Sequence, residues 1–139
     1  MDANPVPEVV SFITTEVGVD LIVSFAIPCE GPSLVVSLTL LRTPKYEFAL
    51  PHEEQGVHVS HESRPEEDHR NILRRIRVAP PHVTIETTLG RRYELDVSKV
   101  AGRELQSARR VLEKMNFDGC FVLEFAGGAG GLPPASDPS

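Results

Sequence analysis

The chain of 139 residues has no tryptophan, only two cysteines and 6% aromatic residues. Cys29 and Cys120 stand far apart and neither belongs to a C-x-x-C pair, which excludes a cysteine-rich zinc fold and a disulfide-stapled scaffold. Both are expected to be buried, reduced thiols acting as small hydrophobes. Long apolar runs are missing too. The best stretch, Leu34 to Leu41, is interrupted by Ser37 and Thr39, and a membrane-spanning helix needs ~20 apolar residues. Met1 to Glu8 offers neither a basic nor an apolar segment, which argues against a secretory signal and for a cytoplasmic protein.

Motifs of named chemistry are also lacking. There is no H-E-x-x-H and no G-x-S-x-G, and the glycine-rich stretch 127–131 lacks a G-K-[ST] ending and runs into Leu132-Pro133-Pro134. Metalloprotease, esterase-elbow and P-loop chemistry are therefore unsupported, and the balance lies against an enzyme.

What is present suffices for one core, since 40% of the residues are hydrophobic. A folded domain of this size buries roughly 68% of its unfolded surface and needs no staple. The expected organisation is a flexible arm over 1–7, a single α+β domain over 8–126, and a Gly/Pro/Ser tail over 127–139 that cannot offset its ordering entropy by burial. The formal net charge of −6 hides an asymmetry: residues 1–69 hold 3 basic and 12 acidic groups, whereas residues 70–116 hold 11 basic and 5 acidic. Internal pairing of these segments is the simplest expectation.

Periodicity predicts a mainly antiparallel sheet of six to eight strands with one helix on a face. Val9–Val17 and Asp20–Ile27 read as a hairpin around Gly18, followed by a strand over Ser33–Arg42. Tyr46–Leu50 and Gly56–Ser60 are short strand candidates. The segment 63–78 reads as a short helix near 64–71, opened by the capping pair Ser63 and Glu66, and then a strand with Ile72, Ile76 and Val78 inward and Arg75 and Arg77 outward. His82–Leu89 and Arg92–Val97 form a second hairpin, with Val83, Ile85, Thr87 and Leu89 sharing one face. The helix spans 102–116, with Leu105, Ala108, Leu112 and Met115 on one stripe and Val111 widening it. Cys120–Phe125 is the last strand.

Two clusters are candidates for function. Four of the five histidines, His52, His58, His61 and His69, fall within residues 52–69 among many carboxylates. Imidazole and carboxylate donors suit Zn or Ni, so these four are the candidate metal ligands, although a strand would point His58 and His61 to opposite faces. Arg74, Arg75, Arg77, Arg91, Arg92 and Arg110 form a candidate surface for an anion or a partner. Nucleic acid is disfavoured, because the chain is acidic overall and Tyr93 is the sole aromatic of the basic segment. The leading expectation is a small non-catalytic interaction or inhibitor-type (immunity-like) module whose partner is another protein; the alternative is a metal-binding protein or small metal-dependent enzyme using the 52–69 segment.

Overall fold

In the computed structural model, residues 7–28, 34–62 and 70–126 are described. The expected tail, the arm before Pro7, Cys29, His69 and most of the expected 64–71 helix lie outside them. The described residues form an α+β fold of nine strands in two mostly antiparallel sheets, with one main helix.

The first sheet has the order β2 (Phe12–Val17), β3 (Leu21–Pro28), β4 (Val35–Arg42), β5 (His58–His61). Alternation in β3 buries Leu21, Val23, Phe25 and Ile27 on the core face, and the small Ala26 of the opposite face is buried as well. The register of β2 to β5 then puts Thr14, Ser24, Thr39 and Ser60 in one row of the opposite face, and Ile22, Leu41 and His58 in the next. The second sheet has the order β1 (Glu8–Val9), β8 (Arg92–Asp96), β7 (His82–Thr87), β6 (Leu73–Ala79), β9 (Val122–Phe125), with β1 and β9 added in parallel. Its inner face carries Ile76, Val83, Ile85, Tyr93 and Leu95, all nearly inaccessible to solvent.

The two sheets meet at two corners. Val10 and Ser11 carry the chain from β1 to β2, donating to the carbonyls of Asp96 in one sheet and Ala26 in the other. At the opposite side His58 bridges Ile72, and Val59 and Leu73 donate to Asn71 and Val57, so the start of β5 pairs antiparallel with the residues that lead into β6. A strand that serves two sheets leaves fewer open edges. The helix α1 (Gly102–Met115) runs beside β2 and β3, burying Ala108, Val111, Leu112 and Met115. Glu104 is half-buried, and its carboxylate accepts the N–H of Ile13 at 2.9 Å. That donor would otherwise have no ladder partner on the edge strand.

Three local expectations are corrected. Tyr46–Leu50 is not a strand: Pro44–Ala49 is a 3-10 turn, followed by a second over His52–Glu54. Pro44 lacks an N–H for a ladder and its fixed φ suits a first helical turn, while the N–H of Leu50 closes on the Glu47 carbonyl. Leu89 is not inward but 42% exposed, because the chain has already entered the turn after Thr87. In and just before β6 the expected burial of Ile72 and Ile76 and exposure of Arg75 and Arg77 are found, but a bulge between Leu73 and Arg75 breaks the period of two, so that Leu73 is buried as well and Arg74 and Arg75 are both exposed. Extra residues of this kind re-aim side chains at functional rims.

Candidate functional site

Arg42 ends β4 in phase with Leu38 and Leu40, which turns its side chain into the protein; it is only 3% exposed. All five of its N–H bonds are used. Nε and Nη2 donate to Glu47 at 2.6 and 2.9 Å; Nη1 donates to the Met115 carbonyl at 2.6 Å; Nη1 and Nη2 donate to the two Asp118 oxygens at 2.9 Å each. The ring of Phe117 lies 4.3 Å from the guanidinium carbon. One side chain thus ties together the end of β4, the 3-10 segment, the C-terminus of α1 and the loop before β9. Burial alone would lower the pKa of Arg42, but the hydrogen bonds to Asp118 and Glu47 outweigh it and hold the guanidinium above its usual value.

Beside this knot opens a cleft of about 530 Å³, within the range of ligand pockets. Buried Ile72 and Leu73 line it together with exposed His52, Glu53, Arg70, Arg74 and Leu89. Gly56 permits the close approach of the two sides: its φ is +117°, and a Cβ there would lie 3.0 Å from Ile72 Cγ2. Cys120 also lines the cleft, as an exposed residue, which corrects the expectation of a buried thiol.

The chemistry of that thiol is set by its neighbours. Desolvation of the sulfur pushes the Cys120 pKa from 9.0 up to about 11, against the pull of Arg42, whose Nη1 lies 3.3 Å away. Asp118 is held down at about 2 by its hydrogen bonds from Arg42. Two pH effects follow by linkage. The unfolded chain loses its thiol proton first, so stability falls as pH rises from about 9 to about 11. Asp118 contributes stability that is present above pH 3.8 and is lost as pH falls through about 2. Alkylation of Cys120 at pH 8, followed by peptide mass spectrometry, is expected to run on the order of 10–100-fold slower in the folded chain than in urea. Equal rates would contradict a suppressed thiolate.

The sequence-predicted residues scatter. His52 is exposed on its 3-10 turn beside the cleft. His58 meets the Glu54 carbonyl through Nε2 at 2.6 Å. His61 is 3% exposed on the core side, 3.1 Å from Glu8 and stacked on Tyr93 at 6.1 Å. Among the described residues no group of three or more His, Cys, Asp or Glu side chains is placed to hold a metal ion. Of the arginines, Arg75, Arg77 and Arg92 share the outer face of the second sheet, where Arg75 pairs with Glu124 and Arg92 with Glu86 and Glu94. Arg91 lies in the β7–β8 turn, its N–H bound to Thr87 Oγ1. Arg110 is exposed on α1, and Arg74 alone of the six lines the cleft. The ion pairs of that outer face join charges within residues 75–124, not the acidic first half to the basic segment.

Sequence reasoning missed Arg42, Glu47 and Asp118. The phase of β4 carried the signal for Arg42, since positions 38, 40 and 42 share a face; no local signal joins it to residues 115–120. Comparison with protein-family models, curated proteins and solved structures finds no match to this chain, so its site is read from geometry and chemistry.

Proposed function

We propose that the chain is a non-catalytic protein-interaction module of inhibitor type that grips a segment of its partner in the cleft beside Arg42. The observation that carries this reading is the cleft's composition: buried Ile72 and Leu73 with charges of both signs, Glu53, Arg70 and Arg74, on exposed side chains around them. An apolar floor supplies affinity, and a charged rim sets orientation and partner choice. Nucleophilic use of Cys120 is disfavoured there, because desolvation raises its thiol pKa to about 11, and Arg42 has no N–H left to bind a substrate. The net charge of −6 accelerates the approach of a partner that is basic overall, while Arg70 and Arg74 at the cleft select an acidic side chain on the segment gripped there.

Arg74 is the residue to test, being exposed at the cleft through the β6 bulge with no ion pair among the described residues. At low salt, tagged wild-type chain is expected to retain a stoichiometric protein from native lysate. Arg74→Glu should weaken that complex about tenfold or more with an unchanged melting temperature. Recovery of the same protein by both chains, or of none by either, overturns the reading.

A further inference from the structure

The outer face of the β2–β5 sheet is chemically unlike the other surfaces described. Its central row is Thr14, Ser24, Thr39 and Ser60, flanked by Ile22 and Leu41 on one side and by Phe12 and Ala26 on the other. Among the described residues this face carries no lysine or arginine. Its carboxylates lie at the two edges, Glu16 on β2 and Glu62 just after β5, and Glu62 is engaged by the Ser37 N–H at 2.8 Å. The outer face of the second sheet, by contrast, is laced with ion pairs.

The neutral face ends at a smaller cleft of about 290 Å³, lined by Leu41, Tyr46, Leu50 and His58 together with Thr43, Gly56 and Glu47, whose carboxylate is already neutralised by Arg42. That volume lies at the lower bound of the ~300–1,000 Å³ of small-molecule pockets, and suits one inserted side chain. Next to it in the chain stands Phe48, 78% exposed, the most exposed large apolar side chain among the described residues. A knob and a hole in one patch are the elements of a two-fold interface, in which each copy presents both.

We propose that a second copy of this chain docks on this face, sheet against sheet, with Phe48 of each copy seated in the Leu41/Tyr46/Leu50 cleft of the other. Charge selects this occupant. Copies of a chain with net charge −6 repel one another, and the contact that avoids burying like charges is the one whose centre has none. The area is consistent: four strands of about six residues present roughly 400 Å² per copy. Exchange of Phe48 adds on the order of 200 Å² on each side, which brings the pair to the ~1,200 Å² at which specific interfaces begin.

Sedimentation velocity on the full chain over a concentration series tests this. The wild type is expected to move from 15.3 kDa toward twice that mass. Phe48→Asp should hold it at the monomer mass with an unchanged melting temperature, since so exposed a side chain supports little of the core; Thr39→Arg should act in the same way. Arg77→Ser, on the other sheet, should leave the dimer intact. Backbone amide shifts of the wild type should respond to concentration at Ser24, Thr39 and Ser60. A wild type that stays monomeric throughout overturns the proposal. So does a dimer that survives Phe48→Asp, or concentration-dependent shifts that map to the Arg75–Arg92 face.

Discussion

Replacing Arg42 by alanine is expected to destabilise the protein by about 3–5 kcal/mol, the usual consequence of removing one member of a buried ion pair. For a domain of this length that lowers the melting temperature by roughly 10–20 °C. The penalty comes mainly from what is left behind. Glu47, only 13% exposed, keeps the N–H of Gly56 at 3.2 Å but loses both guanidinium bonds, and the Met115 carbonyl loses its donor. Asp118 contributes little, because its side chain is 45% exposed and water can replace the arginine. The order of effects is therefore part of the expectation. Arg42→Ala should be worst, Glu47→Ala next, and Asp118→Asn within about 1 kcal/mol of wild type. Chemical denaturation of the three variants checks it, and an Asp118→Asn variant as unstable as Arg42→Ala would show that the knot is held from the wrong side. The same residue bears on the proposed function, since its loss would free the 3-10 segment and the loop around Cys120, both of which line the cleft.

The second large effect is expected at Tyr93, which is 1% exposed on β8. Tyr93→Ala should cost about 3–5 kcal/mol, as for other buried aromatics truncated to alanine. Tyr93→Phe keeps the ring and its stack on His61 but removes the hydroxyl that accepts from Asn71 Nδ2 at 3.2 Å. Asn71 retains its bond to the Val59 carbonyl at 3.0 Å, so the phenylalanine variant should lose only about 1 kcal/mol. Thermal unfolding of both variants separates the two contributions. Equal losses would mean that the hydroxyl network, and not the volume of the ring, anchors this corner. The corner matters because Val59 and Asn71 belong to the joint between the two sheets.

Much of this fold was legible because alternation is a local property. Val83 and Ile85 against Thr84 and Glu86, or Leu105, Ala108, Leu112 and Met115 at helical spacing, specify a burial direction with no knowledge of the partner surface. Strand β3, the β7–β8 hairpin and α1 follow from such patterns to within a residue or two, whereas the single strand expected over Val9–Val17 splits at Val10 and Ser11 into β1 and β2, which belong to different sheets. Legibility ended where the pattern was overruled. The β6 bulge places Leu73 and Ile76 on one side against the period of two, and a strand reading of Tyr46–Leu50 gave way to the geometry of Pro44 and to the Arg42–Glu47 contact. The histidines cluster along the chain yet diverge in space, because β5 turns His58 and His61 to opposite faces and His52 sits on a separate turn.

From the sequence alone came the class of fold, the hairpins, the helix and its buried stripe, and the absence of a recognisable catalytic motif, all consequences of residue type and short-range spacing. The tertiary structure decided what Cys120, the few aromatics and the uneven charge amount to. It exposed Cys120 at a cleft, paired Arg75 with Glu124 and Arg92 with Glu86 and Glu94, and brought Arg42 to Asp118 across 76 positions. Those outcomes depend on which strands lie side by side and how the sheets are joined, and burial, ion pairing and pKa are set by neighbours in space that spacing along the chain does not name.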